Sequence, residues 1–249
     1  MKGSLLLAVF AFLALGGCKK KDDPVATVNP KVSITVENTA GSQDFALNTW
    51  YQNQNNDSFQ VTEYKYYISN IRLLKENGDA VAEPESYHLI DQSKTESLSF
   101  SLGEMPAGEY TKLRLMIGVD EYRNSNGAQT GALDPLNGMF WDWNTGYIMA
   151  KLEGFSPQSN LGSNKIFYHI GGFQGKWSVI REVTVDLPSK LVLASGSNKN
   201  IHLKADILEW FKAPNLLKIA DLPGSMTPGE PLSKIADNYA DMFTVDHID

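Results

Sequence analysis

Apolar and polar residues alternate along most of this chain. Val32-Ser33-Ile34-Thr35-Val36 alternates cleanly, and so does much of Phe59 to Leu74, where Val61, Tyr64, Tyr66, Ile68 and Ile71 hold apolar positions. Similar stretches run over Leu98 to Leu102, Tyr110 to Val119, Tyr147 to Leu152, Ile166 to Ile170, Val179 to Leu187 and Ile201 to Leu208. Successive side chains of a strand point to opposite faces, so this period of two, rich in β-branched and aromatic residues, predicts half-buried strands. Turn formers separate them, as in Asn77-Gly78-Asp79 and Met105-Pro106-Ala107-Gly108. Many strands with no helix between them predict an all-β fold, an antiparallel β-sandwich of immunoglobulin-like or similar type. One segment has a different period. Lys234 to Phe243 sets Ile235, Tyr239 and Met242 at helical spacing after a Pro/Gly-rich stretch, which predicts one short C-terminal helix. The connections Tyr122 to Gly138 and Gly154 to Lys165 are long and rich in Asn, Ser and Gly, as functional loops commonly are.

The first residues obey another rule. Lys2 precedes an apolar run from Leu5 to Leu15 that ends in Leu15-Gly16-Gly17-Cys18. A basic start, a short apolar stretch and small residues describe a secretory signal. The run falls short of the ~20 apolar residues that a spanning helix needs. The small-small-Cys ending reads as a bacterial lipobox, so residues 1–18 are expected to be a lipoprotein signal peptide with Cys18 lipidated. The competing reading is an ordinary signal peptide with a free Cys18. Lys19-Lys20-Lys21-Asp22-Asp23-Pro24 follows, and residues 19–30 are too charged and polar to bury, which predicts a flexible tether. Its Lys-then-Asp order resembles the export tags of bacterial surface lipoproteins. The expected address is therefore the outer membrane, on its periplasmic or its surface side, with residues 31–249 as one β-sandwich domain.

Composition narrows the functions. Cys18 is the sole cysteine, so internal disulfides, cysteine zinc sites and a cysteine nucleophile are excluded. The net charge of −7, with no basic patch past the tether, argues against a nucleic-acid partner. No G-x-S-x-G elbow, H-E-x-x-H helix or P-loop is present, and no C-x-x-C-H for haem attachment. The expectation is a binding protein, not an enzyme.

The most distinctive segment is Gly138-Met139-Phe140-Trp141-Asp142-Trp143-Asn144-Thr145-Gly146-Tyr147. If it is extended, Trp141 and Trp143 share one face. Two indoles filling the end of a sandwich is the plain structural reading. The segment also closely resembles the G-M-[YF]-W-x-W-x-[ST]-G-Y signature of the MbnP-like family, the metallo-mystery pair proteins. Other pieces agree in order: Tyr66 to Leu73, Pro106-Ala107-Gly108-Glu109-Tyr110, Ile117-Gly118-Val119-Asp120, Leu133-Asp134-Pro135 and Tyr168-His169-Ile170-Gly171-Gly172. The resemblance implies a copper-associated periplasmic or surface β-protein. It also implies a partner, a di-haem MauG-like peroxidase that oxidises one tryptophan to kynurenine, with Trp141 and Trp143 as the modified tryptophan candidates. Some members carry further cysteines in the mature domain; this chain has none, so any thiolate role there does not carry over.

With thiolates absent, copper must take imidazole or thioether donors. The chain has four histidines, His88, His169, His202 and His247. A lone histidine is more often structural than a ligand. His169 is the leading metal ligand, because Gly171 and Gly172 permit close backbone approach and its surroundings match the family. His88 and His202 sit in alternating segments and could face inward or outward, and His247 would need the C-terminal helix to dock it. The methionines show no M-x-x-M clustering and read as core or loop, with Met139 a possible soft donor beside the tryptophans. Asp120, Glu121 and Asp134 flank the long loop and could hold a hard cation, although caps and turns account for most such acids. The function expected is extracytoplasmic copper binding, at a site that depends on kynurenine formation. The alternative is a lipid-anchored module for a small molecule or glycan, with both indoles as an exposed stacking platform.

Overall fold

The computed structural model describes residues 28–141 and 146–249. Cys18 with the rest of the signal peptide, most of the tether, and Trp143 lie outside the described residues. The strands in chain order are β1 (Lys31–Ala40), β2 (Gln43–Asp44), β3 (Trp50–Gln52), β4 (Ser58–Leu74), β5 (Ala80–Ala82), β6 (Tyr87–Asp91), β7 (Ser99–Glu104), β8 (Gly108–Ile117), β9 (Ile148–Phe155), β10 (Lys165–Gly171), β11 (Arg181–Leu193), β12 (Asn198–Asp206), β13 (Gly224–Ser225) and β14 (Phe243–Ile248). Among the described residues two α-helices accompany them, α1 (Glu121–Ser125) and α2 (Glu230–Tyr239).

The strands form two sheets. One runs β14-β12-β1-β2, with β7 also on β1, and the other runs β11-β8-β4-β9-β10-β13, with β3, β5 and β6 on β4. Apolar residues from both sheets meet in one core. Val32, Ile34, Val36, Ile201 and Leu203 come from the first, and Tyr64, Tyr66, Leu113, Leu115 and Leu152 from the second. Burying each such side chain contributes about 1.5–3 kcal/mol. The result is an all-β sandwich with one short C-terminal helix, as the alternation predicts. Two pairings are not antiparallel: β1 runs parallel to β12, and β10 parallel to β13. Parallel neighbours require a long crossover, and local alternation carries no information about that.

Strand β4 crosses the second sheet and changes phase twice. Phe59 and Val61 are buried, then Tyr64, Tyr66 and Ile68, then Ile71 and Leu73. The first change coincides with a register shift against β9 between Val61 and Glu63. The second lies between Ser69 and Arg72 against β8, where Asn70 takes a left-handed φ of 51°. An extra residue in a strand turns every following side chain to the other face. The odd–even switch in the sequence is therefore two bulges, not a break in the strand. Between them, Glu63 and Lys65 face outward beside β9.

Helix α2 begins four residues before the predicted start. Pro231 sits in its first turn, where the missing N–H costs nothing. Leu232, Ile235, Ala236 and Tyr239 are its buried face. The chain then turns at Ala240–Asp241 into β14, so Met242 packs below the helix end instead of extending the helical stripe.

Gly154 of β9 lies close against the backbone of β4. A Cβ there would stand 1.9 Å from the Gln60 carbonyl oxygen, which is backbone and cannot yield. Gly154→Ala is expected to cost about 1–3 kcal/mol, the usual penalty of forcing atoms into a filled space. Urea unfolding of the two proteins measures the difference, and an unchanged midpoint would contradict this account of the β4–β9 contact.

Candidate metal-binding residues and the tryptophan corner

His169 lies on β10, between buried Tyr168 and Ile170. Alternation turns its ring outward, opposite Lys151 of β9. Its Nε2 stands 2.7 Å from Glu153 Oε1, and its side chain is 16% exposed. Glu153 also meets Lys151 at 3.3 Å; Lys151 meets Glu63 at 3.1 Å, and Glu63 meets Lys65 at 3.0 Å. The outward residues of β4, β9 and β10 thus form a strip of alternating charge that ends on an imidazole. The hydrogen bond from His169, reinforced by Lys151, holds the Glu153 carboxyl down at about 2. A carboxylate only accepts, so Nε2 carries the proton and the lone pair of neutral His169 sits on Nδ1.

A cavity of about 460 Å³ opens beside this ring, and Met226 is on its wall together with His169, Glu153 and Phe167. Strand β13 explains the company. Phe167 pairs with Gly224 and Tyr168 with Ser225, and Met226 follows Ser225 directly, on the wall it shares with His169. Gly224 is required there, since a Cβ would meet Phe167 at 2.8 Å. Sequence reading assigned Met226 to core or loop; it is 37% exposed, and no local pattern announces a neighbour brought in by a parallel pair.

The tryptophan segment closes the end of β10. Phe140 bridges Tyr147, and Trp141 N donates to Gly146 O at 3.4 Å. The Trp141 indole occupies the space that a side chain at position 171 would take: a Cβ on Gly171 would lie 2.2 Å from its ring. Gly171 is two residues from His169. Trp141 is only 4% exposed, so it cannot form half of an exposed stacking platform. Buried Asn124 ties the corner down: its side-chain oxygen accepts from Tyr147 N at 2.8 Å, and Tyr147 Oη donates to Leu133 O at 2.8 Å. Met139 is fully buried and packs in the core.

The other histidines stand elsewhere. His88 on β6 has Nε2 3.0 Å from both oxygens of Glu83 and stacks on Phe100 at 3.8 Å. His202 and His247 come together on the other sheet, directly opposite each other on β12 and β14, with rings stacked at 3.9 Å. Docking by helix α2 is not what places His247; β14 is. Asp249 completes the one group of three metal-capable side chains found among the described residues. The acids of the long loop have local duties. Asp120 caps α1 through Arg123 N and accepts from Asn70 and Tyr87, and Asp134 caps the turn at Leu136.

Fold and corner together define a two-sheet β protein whose tryptophan-bearing loop packs against the strand carrying His169. A family model described as MbnP matches residues 29–227, and the chain belongs to the MbnP family. Among solved structures, MbnP from Methylosinus trichosporium is similar, with a TM-score of 0.52 at 13% identity over 75% of this chain and 78% of that one. At that identity the likeness shows the fold. No curated protein matches the chain.

Two outcomes follow from this geometry. Gly171→Ala should push the Trp141 ring out of its place, seen as a changed near-ultraviolet circular dichroism signal and a loss of about 1–3 kcal/mol in urea unfolding. Unaltered spectra and stability would mean that the ring does not need the glycine. The Glu153 carboxyl has a lowered folded value, so its stabilising share is present above its unfolded value of 4.5 and is lost as pH falls toward about 2. Wild type should therefore exceed Glu153→Gln in thermal stability near pH 5, by under about 1 kcal/mol for so exposed a pair, and the gap should close by pH 2. A gap that persists at pH 2 would assign the effect to packing.

Proposed function

We propose that this protein binds a copper ion outside the cytoplasm, as a lipoprotein anchored through Cys18, without catalytic turnover. The observation that carries the reading is the placement of His169 and Met226 on one cavity wall, with the Trp141 corner two residues further along β10. Imidazole and thioether are the donors that copper takes when thiolate is absent. Glu153 would hold the imidazole by Nε2 and present Nδ1, the usual arrangement behind a metal-ligating histidine. Membership of the MbnP family supports copper over other soft ions.

A third donor would come from the tryptophan segment. Indole offers a donor N–H and no lone pair to a metal. Oxidation of Trp141 or Trp143 to kynurenine by a di-haem MauG-like partner, with peroxide as the oxidant, would cleave the indole C2–C3 bond, release C2 as formate and leave an aniline nitrogen and a ketone. Both can coordinate. The close packing of Trp141 on Gly171 makes its exchange for a more polar, ring-opened side chain a change felt at the His169 end of β10. Lipid on Cys18 and the polar residues 19–30 would hold the sandwich at an outer-membrane face.

Cu(I) titration against a competing chelator tests the reading. His169→Ala should weaken binding at least about tenfold, the scale set by losing even a supporting group of a metal site, and Met226→Leu should weaken it less. Wild-type affinity in His169→Ala would sink the assignment. Mass spectrometry of the peptide holding Trp141 and Trp143, from native material, should show the loss of one carbon and gain of one oxygen. Intact tryptophans together with tight copper binding would show that the modification is not part of the mechanism.

A further inference from the structure

We propose a second metal site, made by His202, His247 and Asp249 on the outer face of the five-stranded sheet, for a borderline divalent cation such as zinc. It lies on the other sheet from His169 and does not depend on the copper reading. His247 and Asp249 also fall beyond residue 227, outside the stretch matched to the family.

Three facts build it. First, the backbone holds the ligands in register. His202 pairs directly with His247. Asn200 and Asp249 exchange two backbone hydrogen bonds, of 3.0 and 3.1 Å, two residues further along. His202 lies between buried Ile201 and Leu203, so its ring points away from the core. Second, the ligand atoms of the three side chains lie within 4.8 Å of one another, and His202 Nε2 is 3.6 Å from Asp249 Oδ2. Two nitrogens bound to one tetrahedral zinc at 2.0–2.1 Å stand ~3.3 Å apart, a gap that rotation of the half-exposed His247 ring can close.

Third, each imidazole has a carboxylate at its Nδ1. Glu37 Oε1 is 3.0 Å from His202 Nδ1, and Asp246 Oδ2 is 2.8 Å from His247 Nδ1. Each carboxylate accepts, so each ring keeps its proton on Nδ1 and its lone pair on Nε2. Asn200 Nδ2, 2.9 Å from His202 Nε2, donates to that lone pair and so reports the same tautomer. A carboxylate behind Nδ1 with Nε2 turned toward the ion is how zinc-bound histidines are commonly held. When an ion takes the Nε2 lone pair, Asn200 keeps its bond to Thr35 Oγ1 at 3.1 Å. Glu37, Asp246 and Asp249 bring three negative charges to the site, against Lys204, which Asp246 already engages at 2.5 Å. A dication is the charge that such a site favours. Two imidazoles and one carboxylate fill three positions of a tetrahedron, and water takes the fourth.

Zinc titration of the full chain by calorimetry, with circular dichroism to confirm folding, decides the matter. Wild type should bind one Zn²⁺ saturably. His202→Gln and His247→Gln should each weaken binding at least tenfold, and Asp249→Asn should weaken it less. His169→Ala should leave zinc binding unchanged while it weakens copper, so this site and the copper reading fail separately. Should His202→Gln misfold, His247→Gln decides alone, since its half-exposed ring supports no core contact. No saturable binding by wild type, wild-type affinity in His247→Gln, or equal loss in His169→Ala would each overturn the proposal.

Discussion

The pairing of β4 with β9 and β8 is the constraint on which the rest depends. Lys65 and Tyr66 pair with β6 and with β9, and Ile68 and Ser69 pair with β6 and with β8. One strand has two edges, so β9 and β8 must follow one another along the edge that β6 does not use. The two bulges let a single strand of this length serve both neighbours while keeping Phe59, Tyr66 and Leu73 in the core. Without the first bulge, Glu63 and Lys65 would turn inward, and burying unpaired charge is far costlier than the pairing could offset. The charged strip beneath His169 is thus a product of where β4 adds a residue.

Much of this was legible in the sequence. Every alternating segment from Val32 to Leu208 lies in or overlaps a strand, because half-burial on a pleated surface imposes its own period. The tryptophan segment pointed to the family through its residues alone. The long-range partners were not legible. Nothing local says that β13 lies beside β10, or that Phe243 starts a strand and does not end a helix, and these two facts place Met226 and His247. Register between distant strands is set by the whole sheet, and periodicity reports only the face.

All four histidines have a carboxylate within hydrogen-bond reach: Glu83, Glu153, Glu37 and Asp246. Such a partner fixes which nitrogen keeps its lone pair. For His88 the second ring feature is a stacked Phe100 and the arrangement is closed. For His169 it is an open cavity, and for His202 another imidazole. The same local chemistry therefore supports three different environments, and the neighbours that distinguish them are supplied by other strands.

The parallel pair β1–β12 also determines the order in which the chain can be completed. A ribosome releases β1 first. Its partner β7 follows within the first half of the chain, but Lys31 must wait for Asn198, and Thr39 for Asp206, before the other edge is covered. Closing so long a loop is entropically unfavourable until the contacts form, and pairings of this kind are slow. Until β12 is in place, one edge of β1 stays bare beside Val32, Ile34 and Val36, and a bare edge is where another chain can pair.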